Sequence, residues 1–417
     1  MHLYLIILIA VVLLTLIVDI SLWFLARPYI NIKSAKLNLL YSITYWSVPL
    51  LFFICLAYFV LASRQESAQV QYYYHFTMFN GVYLLFYIPK FVMALYFGIV
   101  QLYKSINGAF KDKAAAEQKK SLSGISRAQF LGTLGSIIGL IPFASIIYGL
   151  SKGRFNFSVI KHAITIKDLP EGLQGLKIIQ LSDLHLGNFN YRYDMLYDVV
   201  ETINKLKPDL IFITGDLVNN FASETKGWEK VFTRLESKYG NYAILGNHDY
   251  GDYSNWDSPT LKAENLSRIK ESYQNFGFKL LLNANEKLKI NGAEISIIGV
   301  ENWGHPPFPQ YGNLRTALKG DLAKTKILLT HDPDHWEAEV LGHTDIDLSL
   351  SGHTHGMQMG LKFKNKQWSP AQWKYKYWGG WYQVEQQQLY VNRGLGYIGI
   401  PIRVGMPPEV TLLTLKA

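Results

Sequence analysis

Five short motifs hold most of the side chains in this sequence that could do chemistry together. In order they read Ser182-Asp183-Leu184-His185, Gly215-Asp216, Gly246-Asn247-His248-Asp249, Thr330-His331 and Gly352-His353-Thr354-His355. Carboxylate and imidazole donors suit borderline and hard divalent cations such as Mn²⁺, Fe²⁺, Zn²⁺ or Mg²⁺. One carboxylate can bridge two such ions and offset their repulsion. Asp216, on a tight turn after an apolar run, is the natural bridge. Two adjacent ions point to one main chemistry, hydrolysis of a phosphate ester or anhydride. Singly, Asp-x-His or Gly-Asp is a weak signal; the whole series in one order is a strong one. His162, His305, His335 and His343 match no motif and read as surface or hydrogen-bonded residues.

These motifs need elements to position them. From about Ile164, short apolar runs at 176–181, 210–214, 242–245, 295–300, 327–329 and 348–350 read as strands. Each ends at or just before a motif, or at Glu301. Residues 193–206 and 228–237 read as helices between them. Such alternation predicts an α/β fold with buried sheets, whose ligands gather at the carboxyl ends of strands. Gly215 and Gly246 let the backbone turn. Asp183 and His185 are two apart, as are His353 and His355. On an extended strand end both members of each pair would face one way.

The sequence before this part is different. Overall, 49% of the 417 residues are hydrophobic and 18% are charged, fewer charges than the soluble norm. The deficit lies in residues 1–150, which carry apolar runs at about 3–25, 37–62, 76–103 and 130–150. Each can cross ~30 Å of hydrocarbon as a helix. The expected organisation is a transmembrane helical domain at 1–150, a tether at 151–163 and a catalytic domain at 164–417. A cleaved signal peptide is the competing reading of the first run; its length, the lack of a basic start and the lack of a clear small-residue cleavage site before Arg27 favour a retained span. Asp19 and Lys90 fall inside predicted spans, where ionisable groups are costly; a buried pair or a snorkelling Lys90 accounts for them.

Lys and Arg in short loops set orientation. The first loop has Arg27, Lys33 and Lys36, and the third has Lys104, Lys111, Lys113, Lys119, Lys120 and Arg127; the second has only Arg64. A multi-pass protein of the cell membrane is expected, with its catalytic domain on the outer face. Lys152, Arg154 and Lys161 weigh the other way. Ser126-Arg127-Ala128-Gln129-Phe130-Leu131 resembles a twin-arginine export signal without its second arginine, in agreement with export; the simpler reading is a basic residue flanking a helix. The formal charge of +9 reflects cations beside apolar runs more than nucleic-acid binding. The lone Cys55 rules out a disulfide within one chain.

Residues from about Ile164 onward resemble the calcineurin-like metallophosphoesterases, most nearly their membrane-anchored or twin-arginine-exported bacterial branch. The tail, with Tyr390, Asn392, Arg393, Gly394 and Gly396 and then Pro401, Arg403 and Glu409, adds to the likeness. The resemblance implies a four-layer α-β-β-α sandwich, here behind an all-α transmembrane domain of about four helices. It implies a metal-dependent phosphoesterase with two divalent ions. Carried over, the first ion takes Asp183, His185, Asp216 and His355. The second takes Asp216, Asn247, His331 and His353. His248 serves as proton donor or charge stabiliser, oriented by Asp249. Gly356-Met357-Gln358 departs from the family's usual Gly-Gly-Gln, which affects loop shape and spares the ligands.

Residues 362–382 mix lysines with tryptophans and tyrosines. That composition suits a membrane interface, single-stranded nucleic acid, or a flap whose aromatics pack on the sandwich. A short tether favours a lipid bilayer as partner and a phosphoester substrate that is lipid-linked or belongs to the envelope. The alternative class is a membrane binding or sensing protein with an inactive phosphoesterase fold. The complete ligand set weighs against it.

Overall fold

The apolar runs of the first half form α1 (His2–Ala26), α2 (Ala35–Ala62), α3 (Val70–Ala109) and α4 (Arg127–Ser151). The structure is a computed structural model that describes residues 2–30, 32–62, 70–109, 127–304, 309–364 and 366–417. Arg64, Lys111, Lys113, Lys119, Lys120 and Ser126 lie outside the described residues. The chain divides into two units, one of residues 1–65 and 79–148, the other of residues 66–78 and 149–417.

In the helical unit, all four helices are long and apolar enough to span a membrane. Many of their exposed positions are large and apolar, among them Ile17, Phe24, Leu50, Leu95 and Ile141, and among the described residues an ion pair is buried within the unit. Lys90 Nζ lies 2.6 Å from Asp19 Oδ1. The Tyr87 hydroxyl donates to Asp19 Oδ2 at 2.8 Å, and the Tyr45 hydroxyl to the Asp19 carbonyl at 2.7 Å. The pair, not snorkelling, therefore accounts for both ionisable residues.

The second unit holds two six-stranded sheets. The first runs in the order β1 (Ser158–Thr165), β14 (Glu409–Lys416), β2 (Lys177–Leu181), β3 (Leu210–Thr214), β4 (Asn241–Ile244) and β5 (Lys279–Leu280). The second runs β12 (Gly380–Val384), β13 (Gln387–Val391), β9 (Leu348–Ser351), β8 (Thr325–Leu329), β7 (Ala293–Gly299) and β6 (Ala284–Ile290). A separate hairpin pairs β10 (Leu361–Phe363) with β11 (Lys366–Trp368). Strand β1 begins inside the stretch expected as a tether and pairs along its whole length with β14.

Alternate strand residues face opposite sides, and that partition makes the layers. Ile178, Phe212, Ile297, Leu329 and Leu350 meet between the sheets. Ile179, Ile211 and Ile213 face outward against α5 (Asp194–Lys205), α6 (Glu229–Phe232) and α7 (Pro259–Asn275) through Val199, Phe232 and Ile269. Leu328 and Ile298 face outward from the second sheet, against α8 (Leu314–Ala317) and the helical turn Trp336–Val340. Helix, sheet, sheet, helix is the four-layer arrangement. Each buried Leu or Ile side chain is worth about 1.5–3 kcal/mol, so these layers can carry strain in the loops above them. The helix expected at 228–237 is one turn long, because the chain leaves it through tight turns at Arg234 and Leu235.

Candidate metal centre

Strands β2, β3 and β4 run parallel, as do β7, β8 and β9, so their carboxyl ends gather along one edge of each sheet. All five motifs follow those ends. Asp183, His185 and His355 are buried with their donor atoms within 4.8 Å of one another; the same holds for Asp183, Asp216 and His331. His355 Nε2 lies 3.2 Å from Asp183 Oδ1 and 3.1 Å from His185 Nε2. Asp216 Oδ2 lies 3.7 Å from His185 Nε2 and 3.2 Å from His331 Nε2, so one oxygen serves both groups. Asn247 Oδ1 sits 2.9 Å from both His331 Nε2 and His353 Nδ1.

The backbone that delivers these groups is not extended. Asp183, His185, Asp216, His353 and His355 all have positive φ, between 46° and 73°. The expectation that each Asp-x-His or His-x-His pair faces one way off an extended strand is corrected. β2 and β9 end first, and left-handed turns aim each side chain. Such non-glycine conformations cost about 1–3 kcal/mol each and cluster where function over-determines them. Gly215, at φ 94°, does make a turn. Gly246 serves close approach instead, since a Cβ there would stand 2.6 Å from the Asp216 backbone nitrogen.

The donor chemistry fits a cation. The Thr214 carbonyl accepts from His331 Nδ1 at 2.7 Å, so that nitrogen carries the ring proton. His331 Nε2 then turns a lone pair toward Asp216 Oδ2 and Asn247 Oδ1. Asn247 Nδ2 points outward and donates to the Tyr253 hydroxyl at 2.7 Å, with Oδ1 turned inward. Lone pairs facing one another in a buried site need positive charge among them. In the chain alone a proton supplies it: burial would lower His331, but Asp216 outweighs burial and raises its pKa to about 10. Burial would raise Asp183, yet neighbouring His355 holds it below the usual carboxylate range. His185, by contrast, is lowered well below its ordinary value by burial, and its Nδ1 has no hydrogen-bond partner among the described residues.

His248 stands at the mouth, half-buried, with its ring edge-on to His185 at 5.0 Å and stacked on Tyr253 at 4.4 Å. Its Nδ1 donates to the Asn219 carbonyl at 2.7 Å. The expected orienting role of Asp249 is thus corrected. Its carboxylate accepts instead from the backbone N–H groups of Asp216, Leu217, Val218 and Gly246 at 2.9–3.3 Å, and from the Tyr273 hydroxyl at 3.0 Å. It ties the Asp216 loop to the Asn247 loop. Glu224 does similar work at the next turn, accepting from Asn219, Asn220 and Phe221 N–H groups.

Several supporting residues escaped sequence reasoning. Arg403 is fully buried and donates to the carbonyls of Gly396, Arg393, Gly394 and Met406 at 2.6–3.2 Å. Its Nη2 also reaches His355 Nδ1 at 3.2 Å, and burial pushes its pKa down to about 9. The Tyr375 hydroxyl meets His353 Nε2 at 3.3 Å. Tyr253 lies only six residues past Asn247, so spacing alone could have raised it. Met357 takes φ 47° where glycine would sit without strain. Of the histidines outside the motifs, His335 is buried and hydrogen-bonded to Thr330 and Glu339, His343 is exposed, and His162 lies beside Trp381. His305 lies outside the described residues.

Comparison with known proteins agrees with this geometry. The family described as "Calcineurin-like phosphoesterase" matches residues 176–357. "Probable Calcineurin-like phosphoesterase, transmembrane domain" matches residues 3–154. An uncharacterized metallophosphoesterase of Bacillus subtilis (strain 168) is 33% identical over 303 residues, 70% of this chain and 98% of the relative. A Danio rerio protein described as "Transmembrane protein with metallophosphoesterase domain" is 29% identical over 73% of this chain and 67% of its own length. An uncharacterized metallophosphoesterase of Campylobacter jejuni is 28% identical over 94% of this chain and 95% of its own. The buried carboxylate–histidine cluster, the four-layer sandwich and these matches place the chain in one family: it belongs to the calcineurin-like metallophosphoesterases, hydrolases of phosphoester bonds, in a form carried on membrane-spanning helices.

Proposed function

We propose that this protein hydrolyses a phosphomonoester, phosphodiester or pyrophosphate that is lipid-linked or belongs to the envelope, at a centre for two divalent ions on the outer face of the cell membrane. The observation that carries the two-ion reading is Asp216 Oδ2, which stands within 3.7 Å of one ring nitrogen in each histidine group. Asp183, His185, Asp216 and His355 would hold one ion; Asp216, Asn247, His331 and His353 would hold the other. When bound, such ions supply Lewis-acid charge for phosphoryl oxygens and lower the pKa of water. Mn, Fe, Zn and Mg all suit these donors.

The chain's own groups do the rest. The Asn219 carbonyl fixes the proton of His248 on Nδ1. Nε2 is left to hold or give a proton where a phosphate or its leaving oxygen would lie. Protonated, the ring also stabilises charge on the transferring group. Asp249 and Glu224 hold the turns that aim Asp216, Asn247 and His248. The outer-face reading is supported by Arg27, Lys33 and Lys36 in the first loop and by the lysine-rich third loop.

Metal analysis together with assays on aryl phosphates and phosphodiesters tests this reading and separates it from a binding protein. His248→Ala should lower turnover about 10²–10⁴-fold with metal content unchanged. Asn247→Ala should lower both turnover and metal content. Near-normal turnover in both variants would overturn the assignment. A reporter fused after Leu150 tests the orientation; activity of a cytoplasm-only reporter would refute it.

A further inference from the structure

Residues 359–384 contain five lysines and eight aromatic residues and no aspartate or glutamate. The structure divides those aromatics into two sets. Tyr377 and Trp378 are buried, the first of them in the core beyond the second sheet. Trp373, Phe363 and the neighbouring Leu361 stand 77%, 74% and 68% exposed. Leu361 and Phe363 are alternate residues of β10 and share one face of the hairpin. Trp368, also exposed, meets Trp373 edge-on with ring centroids 5.7 Å apart. Scattered exposed apolar residues need no explanation; a cluster of four large ones within thirteen positions does. Lys362, Lys364 and Lys374 are exposed and form no ion pair among the described residues.

This surface is tied to the metal centre. The Ser369 hydroxyl donates to the Gly356 carbonyl at 2.6 Å, and the Thr354 hydroxyl to the Trp378 carbonyl at 2.6 Å. Tyr375, on the same segment, touches His353. An object resting on the hairpin and Trp373 is therefore held in a fixed relation to the loop that carries His353 and His355.

We propose that Leu361, Phe363, Trp368 and Trp373, with Lys364 over the Phe363 ring and Lys374 beside Trp373, form a docking face for an anionic phospholipid bilayer. Large rings sit favourably at headgroup depth, and lysines near them meet lipid phosphate. The segment itself carries no carboxylate to repel an anionic surface, and Glu337 beside it is paired with Lys376. Docking presents lipid headgroups to the centre. The inference rests on the lipid-linked reading of the substrate, and its test needs no turnover, so the two can fail separately.

The test uses the full chain with Cys55→Ser, which removes the lone cysteine, and a nitroxide attached through Phe363→Cys or Trp373→Cys. Both positions are exposed, so folding should be untouched. The proteins are placed in nanodiscs of phosphatidylcholine alone or mixed equally with phosphatidylglycerol. Accessibility to oxygen and to a soluble nickel chelate is then read by electron paramagnetic resonance. Both labels should favour oxygen over nickel in the anionic discs. Lys364→Gln and Lys374→Gln should each lower the docking equilibrium constant about fivefold. Nickel-accessible labels in both lipids would overturn the proposal, as would immersion indifferent to lipid charge. Immobilisation by a single-stranded oligonucleotide but not by lipid would replace it with nucleic-acid binding.

Discussion

Asp249→Asn separates two accounts of one residue. If Asp249 orients His248, the change should alter proton transfer and leave the loops intact. The structure gives it another job. Oδ2 accepts from Asp216 N–H at 3.0 Å and Gly246 N–H at 2.9 Å; Oδ1 accepts from Leu217 N–H at 2.9 Å and Val218 N–H at 3.3 Å. An asparagine has one oxygen and one NH₂ in those places. Whichever way it turns, two buried N–H groups face a donor. An unsatisfied buried donor costs about 1–3 kcal/mol, and the pair shares one loop, so the costs are not additive. About 2–4 kcal/mol of local stability should be lost, which is about 30- to 1,000-fold in local opening. Hydrogen exchange of a peptide spanning residues 214–219, followed by mass spectrometry in the full chain, reads that opening directly. Metal content should fall with it, because Asp216 loses its fixed place. Unchanged exchange and full metal content beside a lost turnover would refute the loop account and restore the orienting one.

Other substitutions probe separate parts of the chain. Arg403→Met removes the donors that hold four carbonyls beside His355; metal content should fall and KM for an aryl phosphodiester should change less than kcat, whereas unchanged metal binding would show that His355 is held without it. Asp19→Asn or Lys90→Met alone leaves one buried charge unpaired and should destabilise the helical unit by about 3–5 kcal/mol. The double variant should recover most of that loss, read as the melting point in detergent; no recovery would mean that the pair is not the source. Burial raises the Asp347 carboxyl from 3.8 to about 6. The folded chain thus binds that proton more tightly than the unfolded chain, so Asp347 favours folding below pH 4 and loses that contribution as pH rises through 6. Asp347→Asn keeps an acceptor for the Lys326 N–H and should raise the melting point at pH 8 but not at pH 4. An equal effect at both would contradict this sign.

What the sequence made legible, and what it hid, follows from how each feature is encoded. Strands β3 and β9 and the helices α1, α2 and α4 are written as local runs of apolar residues, so their places could be read to within a few positions; α3 runs six residues past its apolar run at each end, where tyrosines and polar residues continue the helix. The candidate metal ligands are written as residue types next to those runs, and the structure brings Asp183, His185, Asp216, Asn247, His331, His353 and His355 together. Helix α7 was legible but passed over: Ser258 followed by Pro259 is a start signal, and Ser258 Oγ does accept from the Leu261 N–H. The partner of His248 was not legible, because a backbone carbonyl at Asn219 has no residue type to betray it. Nor was Arg403 legible as a support for His355, which lies 48 positions earlier. Its role depends on β14 pairing between β1 and β2, a contact set by the whole fold.

The left-handed backbone at the site was the deepest omission, and it bears on what the centre is for. Asp183, His185, Asp216, His353 and His355 adopt a left-handed conformation that is uncommon outside glycine. Glycine at any of these positions would relieve the strain and remove the donor. The strain is therefore maintained for the side chain's direction, and those directions converge on places where lone pairs face lone pairs. Neither the strain nor the convergence favours the chain by itself. Both are offset when positive charge enters between the donors, so ion binding should raise the stability of the catalytic unit as well as enable its chemistry. A chelated protein should accordingly melt lower than one refilled with Mn²⁺, and the difference should shrink in His331→Asn. If chelation left the melting point unchanged, the buried donors would have to be satisfied by protons alone, and the argument from facing lone pairs would fail.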